Sequence, residues 1–406
     1  MAAALEHVVK AGLQSGERVL PLITAAVDGN LRGLLPSLSV QIQPAIAAGS
    51  AAEAVEVLRV YSKAGYSDSS LALAAAVAVK RDVHFLSTPD LVGACVAFSK
   101  HKTRIPHFFD EIQKLDFSNF PAKSKLSLFE AFVHLRIEKK FPGRLLPKAE
   151  EFDDVSGLVR FSYANSLPVE ANIPAVIEAV EKITSLSTTL LKPLEHIWLM
   201  QVRAFLRFCC RNDYEKLSKS ARDKLRALDR VLPAIPTTAQ TVLSKRASEA
   251  LRKLRIAHDC NASIGPFRVD IKERDRKIIW ELASKERFIA STTGAPDRIA
   301  TSRFQERVLK AMGYKFVQLP YWHWQRITLK KSRIAYMKQA RFQAVKDKRE
   351  MRPRELTDQS IDPTTFDAEA AAFDYCGETF MKLEQLKRPW SWSRHRPGEL
   401  PTILTL

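Results

Sequence analysis

Residues 313–324, Gly-Tyr-Lys-Phe-Val-Gln-Leu-Pro-Tyr-Trp-His-Trp, constrain the fold of this chain more than any other stretch. Few folds call for three aromatics in four positions directly after a strand and a proline. Phe316, Val317 and Leu319 read as strand, and Pro320 interrupts it. Upstream, Phe304, Val308, Leu309 and Met312 recur at helical spacing, and Ser302 with Gln305 forms a capping-box pattern at the start. Gly313 suits the end of that helix, because glycine enters the left-handed conformation at little cost. Earlier still, Phe267–Ile271 alternates, Lys272–Lys277 is a charged turn, and Ile278–Leu282 is a second apolar run. That pattern predicts two strands joined by a polar connection.

The order strand, strand, helix, strand, aromatic box, helix resembles the RAP domain, named from "RNA-binding domain abundant in Apicomplexans". The closing signature of that family is matched by Gly313, Phe316, Val317, Leu319, Pro320, Tyr321, Trp322 and Trp324. Asp270 and Glu281 stand at the acidic places of its two strands. The resemblance covers roughly residues 264–345. It implies a small α/β module resembling the restriction-endonuclease-like core, with RNA as partner. It also implies degenerate helical repeats ahead of the module, as in FAST-kinase-like mitochondrial proteins. One departure is the missing family glycine after the second strand, where Leu282-Ala-Ser-Lys-Glu286 follows.

The endonuclease-like core raises the question of catalysis. Such nucleases need two carboxylates to hold a divalent metal and a lysine to support the attacking water. Asp270 and Glu281 are available, but the lysine position two after Glu281 is Ala283, and the nearest base is Lys285. The expectation is a chain without enzymatic activity, with a metal-dependent RNA endonuclease as the alternative.

Charge points to a polyanion. The formal net charge is +18 over 406 residues. Residues 251–350 hold 24 basic and 10 acidic side chains, an excess of 14. Concentrated positive charge is the electrostatic footprint of a nucleic-acid binder. Gln325–Lys348 reads as one long basic helix with eight cations and one acid. Its apolar residues Ile327, Ile334, Met337 and Val345 would dock it, leaving Arg326, Lys330, Lys331, Arg333, Lys338 and Arg341 to meet phosphate. Read as extended chain, the aromatic box puts Trp322 and Trp324 on one side. Trp322 is then the candidate for base stacking. Asp270, Glu281, Gly313, Pro320, Tyr321 and Trp324 are expected to be mainly structural.

Residues 1–255 read as helix after helix. Helical spacing marks Ala51–Lys63, Ser70–Val79, Pro89–Lys100, Lys123–Glu138, Ile173–Ser185, Pro193–Cys210, Tyr214–Leu228 and Thr238–Ile256. Cys95–Lys100, Phe129–His134 and Val159–Ala164 resemble one another at intervals of roughly 30–35 residues, which suits one helix pair per repeat. The expectation is an α-solenoid-like array over 1–255, with an irregular helical bundle as the alternative. The RAP-like module follows over 264–350, and a linker with a partner-binding tail over 351–406.

The five cysteines, at 95, 209, 210, 260 and 376, form no CxxC pair. An odd count gives no disulfide framework and fits a reducing compartment. Cys209 and Cys210 look like buried small hydrophobes on a helix. The nine histidines form no ligand-like cluster, so no metal and no cofactor is expected. No apolar run of membrane-spanning length appears. Residues 1–10 are amphipathic and poor in acids, which fits either an organellar transit segment or the start of a helix. The tail 387–396 alternates bases with Trp390 and Trp392 and lacks a core of its own, so it should order on a partner. Together with the resemblance, these readings lead to a mitochondrial matrix RNA-binding protein. A structural or assembly component of the mitochondrial ribosome on rRNA, beside other proteins of that particle, is expected first. A free RNA-processing or stability factor is the alternative.

Overall fold

Capping side chains set where several helices begin. The structure is a computed structural model that describes residues 19–29, 32–114, 120–141, 146–186, 191–230, 241–284, 287–291 and 297–346. The readings of residues 1–10, Lys285 and the tail 351–406 lie outside these. The chain divides into two compact units. Of the described residues, the first holds those up to 175 together with 288–301; the second holds those of 176–287 and 302–346.

In the first unit, the helices are α1 (Val19–Asp28), α2 (Leu35–Ala48), α3 (Ala51–Lys63), α4 (Ser69–Asp82), α5 (Thr88–Lys100), α6 (Pro106–Lys114), α7 (Ala122–His134) and α8 (Val155–Ser166). Ser50 Oγ accepts from the Glu53 N–H at the start of α3, and Asp68 Oδ1 accepts from the Ser70 N–H at the start of α4. These side chains satisfy N–H groups that the first turn leaves unpaired. Three helices stop by the same device. Gly65, Lys102 and Arg136 follow α3, α5 and α7 with φ of 76°, 53° and 57°. After α3 and α7 the next residue, Tyr66 or Ile137, returns its N–H to a carbonyl five residues back, Tyr61 or Phe132. This is the paired ending in which a left-handed residue turns the chain and an apolar residue folds back on the helix. A left-handed residue thus ends both α5 and α7, the helices that carry the first two members of the loose repeat. α7 therefore ends at His134 rather than continuing to Glu138.

The core of this unit is aromatic. Phe98, Phe108, Phe109, Phe132 and Phe141 run edge to face with successive centroids 5.2–5.3 Å apart, a spacing favoured by the ring quadrupoles. His101 is fully buried, with Nε2 donating to the Leu58 carbonyl at 2.9 Å and Nδ1 accepting from the Asp68 N–H at 3.0 Å. A two-residue strand, β1 (Thr103–Arg104), follows α5.

α9 (Ile173–Ser185) leads into the second unit, which continues with α10 (Pro193–Cys209), α11 (Arg211–Lys216), α12 (Lys219–Ala227) and α13 (Val242–Lys253). The span read as one helix over Tyr214–Leu228 is two, because the chain breaks at Leu217–Ser218 and Ser218 Oγ caps α12 at the Ala221 N–H. Cys209 and Cys210 are half-buried at the end of α10, not core residues.

A four-stranded sheet follows, in the order β2-β3-β4-β7. β2 (His258–Ile264), β3 (Phe267–Glu273) and β4 (Ile278–Ala283) are antiparallel neighbours. The chain then leaves for the first unit, where β5 (Phe288–Ser291) pairs in parallel with β1 and antiparallel with β6 (Asp297–Arg298). Ile289 is buried in that unit's core. α14 (Ala300–Ala311) then carries the chain across to β7 (Lys315–Pro320), which lies parallel to β4. A parallel pair requires such a crossover. α14 begins two residues before Ser302, and Gln305 Nε2 donates to the Arg268 carbonyl, so the two do not form the reciprocal cap. The architecture is thus a helical array followed by a small α/β module.

Two further differences concern the aromatic box. Tyr321–Arg326 is a short helix, α15, that begins directly after Pro320, not extended chain. The period-of-two argument that put Trp322 and Trp324 on one side therefore fails. The long basic helix is also interrupted: after α15 the chain opens at Ile327–Leu329 and restarts as α16 (Lys330–Lys346).

Candidate nucleic-acid interface

The sheet's inner face is apolar by strand periodicity. Ile271 of β3 stands opposite Trp280 of β4, and Trp280 stands beside Val317 of β7. These residues join Leu282, Leu319, Ala247 and Leu251 of α13, Met337 of α16, and Trp324 in one cluster. Trp324 is 3% exposed, so the box supplies core. Gly313 ends α14 with φ 89°; its N–H bonds the Lys310 carbonyl and the Tyr314 N–H bonds the Leu309 carbonyl. A Cβ there would meet no atom closer than 3.9 Å, so the backbone angle, not crowding, calls for glycine. Tyr321 is half-buried on α15. The Trp322 side chain lies outside the described residues.

The cations of α15 and α16 divide into two groups. Arg341 makes two parallel bonds of 2.8 Å to the carboxylate of Glu273, which also accepts from Trp280 Nε1 at 3.0 Å. Glu273 is 2% exposed. Arg333 donates Nε to the Ile327 carbonyl at 2.7 Å and lies 5.5 Å from the Trp324 ring centroid. Both arginines hold the helix to the module. By contrast Lys330, Lys331 and Lys338 are exposed, and Arg326 is half-exposed. Lys331, Lys338 and the 57%-exposed Phe342 share one helical face at spacings of seven and four. α13 packs beside α16 and adds exposed Lys245, Arg246, Arg252 and Lys253. Burial first, and then the charge of Arg246, holds the Arg333 pKa below its ordinary value. Closely spaced cations around an exposed ring suit a backbone of phosphates with bases able to stack. The place of the α13 cations beside α16 was not legible in the sequence, because that helix lies upstream of the recognisable module.

On the opposite sheet face, Asp270 and Glu281 occupy adjacent strands. Like charges at such positions repel. The Arg287 guanidinium resolves this, donating Nη2 to Asp270 at 2.7 Å and Nη1 to Glu281 at 2.9 Å. Asp270 also accepts from the Leu282 N–H at 2.8 Å. Burial raises the Asp270 pKa, while Arg287 and the Leu282 N–H oppose that rise. Position 283 is a buried alanine. The arginine thus occupies the space between the two carboxylates, where a nuclease would seat its metal. Sequence reading gave no sign of Arg287, which follows Glu281 by six residues, outside any strand period.

Among the described residues, no group of three or more His, Cys, Asp or Glu side chains could hold a metal ion. None of their helices is long and apolar enough to cross a membrane. The RAP domain family matches residues 280–340. That span begins within β4, includes α14, β7 and the box, and ends in α16. No curated protein matches the chain.

Proposed function

Because the chain carries a RAP domain over residues 280–340, which points to RNA binding, we propose that the exposed cations of α13 and α16 are its RNA-binding surface. The single observation that carries this is the division within α16. Arg333 and Arg341 are engaged internally, while Lys330, Lys331 and Lys338 face solvent, the last two on the helical face of Phe342. Lysine and arginine bind phosphate through charge and counterion release without reading sequence. Titrating labelled RNA into variants of the three lysines tests this directly.

The role is that of a binding protein, not a nuclease. Arg287 bridges Asp270 and Glu281, and Ala283 stands where the catalytic lysine would be. A metal-dependent cleavage assay on RNA checks it, and cleavage that disappears in Asp270→Asn would overturn it.

The cellular setting we propose is the mitochondrial matrix, with rRNA and the mitochondrial ribosome or its assembly intermediates as the context. The reading is supported by a tail of alternating bases and tryptophans suited to a ribonucleoprotein neighbour. Sedimentation separates this from a free RNA-processing factor. Co-migration with ribosomal particles supports it, and a light, RNase-sensitive complex alone would favour the free factor.

A further inference from the structure

Outside the matched domain, the second unit has a cavity that neither the fold nor the α13–α16 surface accounts for. It lies among α10, α11 and α12, has a volume of about 460 Å³, and is lined by Arg207, Arg211, Arg222 and Arg226 with the aromatic Phe208. Glu215 is the acid at its wall. A smaller cavity of about 290 Å³ shares Arg207 and Phe208 with it. That second space is apolar, formed by Met200, Ala204, Pro266 and Met312, with Arg203 and Asp229 paired at its side.

Three details make these adjoining spaces more than surface relief. Phe208 is 38% exposed between them, with the Arg207 guanidinium 5.2 Å from its ring centroid. Arg222 Nε is buried with no hydrogen-bond partner among the described residues, and an unsatisfied buried donor is costly unless a ligand meets it. Among the described residues, Arg211 pairs with Glu215 at 3.1 Å and Arg226 with Asp223 at 3.0 Å, both within three or four residues along the chain. Exposed pairs of this kind contribute little, so a phosphate, which takes stronger charge-assisted bonds, can displace them. Cavities of roughly 300–1,000 Å³ are the ordinary size for a small-molecule group.

We propose that the two cavities together hold one splayed-out nucleotide of a single-stranded RNA. Its base enters the apolar space against Phe208, and its phosphate sits among Arg207, Arg211, Arg222 and Arg226. This rests on the RNA-binding reading above and adds to it a second contact and a preference for unpaired RNA. Bases within a duplex remain stacked and cannot enter such a slot, whereas loops and single strands present bases that can.

The test uses the full chain and two fluorescein-labelled probes, a 12-nucleotide oligouridylate and a 12-base-pair RNA duplex. Phe208→Ala should weaken single-strand binding about tenfold, within the range for losing one base–aromatic stack, and leave duplex binding unchanged. Arg211→Ala with Arg226→Ala should lower the single-strand salt slope by about 1.4, near 0.7 for each lost contact. These two residues are exposed, so the pair keeps the test valid should Phe208→Ala lower the melting temperature. Wild-type affinity in both cavity variants, alongside weakened binding on removing Lys330, Lys331 and Lys338, overturns the cavity while sparing the main surface. Absence of RNA binding by the unmodified chain overturns both. Competition by AMP at micromolar concentration would assign the cavity to a free nucleotide and contradict the proposal.

Discussion

Arg341 and Glu273 form a two-pronged ion pair that fastens α16 to the sheet, with Glu273 nearly inaccessible and Arg341 about a quarter exposed. A carboxylate this deeply buried depends on its partner. Arg341→Ala leaves Glu273 charged and unpaired, and removing one member of a buried pair costs about 3–5 kcal/mol. The expected result is a marked drop in melting temperature, with loss of RNA binding only as a consequence of unfolding. A variant with wild-type stability and reduced RNA affinity would mean that Arg341 meets RNA instead.

This division of cations shows what the sequence could and could not convey. Gly313 was legible because its helix end demands a positive φ, and the β3–β4 hairpin was legible because an alternating run and an apolar run flank a charged turn. Composition could not separate Arg341 from Lys338, since the partner of Arg341 lies 68 residues away, on β3. The same non-local chemistry hid Arg287, whose meaning depends on two carboxylates meeting across β3 and β4. β2 escaped notice because it is an edge strand with mostly half-exposed residues. The break at Ile327–Leu329 was masked by helix-forming residues on both sides.

Trp324 is expected to act through packing. It fills the cluster between the sheet, α13 and α16. Trp324→Ala should destabilise the chain by about 3–5 kcal/mol, the usual cost of deleting a large core ring. Urea denaturation of the purified protein measures this. An unchanged midpoint with weakened RNA binding would place the ring in contact with RNA.

Arg287 controls a pH dependence whose sign follows from Asp270. Burial holds the Asp270 carboxyl above its ordinary range, and Glu281 pushes the same way. In the window between the unfolded and folded pKa, the folded chain holds a proton that the unfolded chain has released. The stabilising contribution is therefore present at low pH and lost as pH rises through the folded value. Arg287 opposes this rise. Arg287→Ala should cost about 2–3 kcal/mol at neutral pH, somewhat below a fully buried pair because the guanidinium is a quarter exposed. The deficit should shrink on acidification, and Asp270→Asn in the same background should recover part of it. Melting curves from about pH 4 to pH 7 that run parallel for both proteins would contradict this account.

Catalysis gives a simple contrast. RNA incubated with the protein and magnesium or manganese should show no cleavage dependent on Asp270 and Glu281, because Arg287 holds both carboxylates and Ala283 cannot support a water. Metal-dependent products that vanish in Asp270→Asn would establish a nuclease.

The salt dependence of RNA affinity tests the central claim most directly. Binding of a single-stranded RNA is followed by fluorescence anisotropy between about 50 and 200 mM salt, a range over which phosphate contacts weaken steeply. The full chain is compared with a variant carrying Lys330→Ala, Lys331→Ala and Lys338→Ala. These side chains are exposed, so melting temperature should stay within a degree or two, as for surface changes of about 0.5 kcal/mol or less. Affinity at low salt should fall at least tenfold, and the slope of log affinity against log salt should flatten by about two, near 0.7 for each lysine. An unchanged affinity and an unchanged slope would show that the α13–α16 surface does not bind RNA.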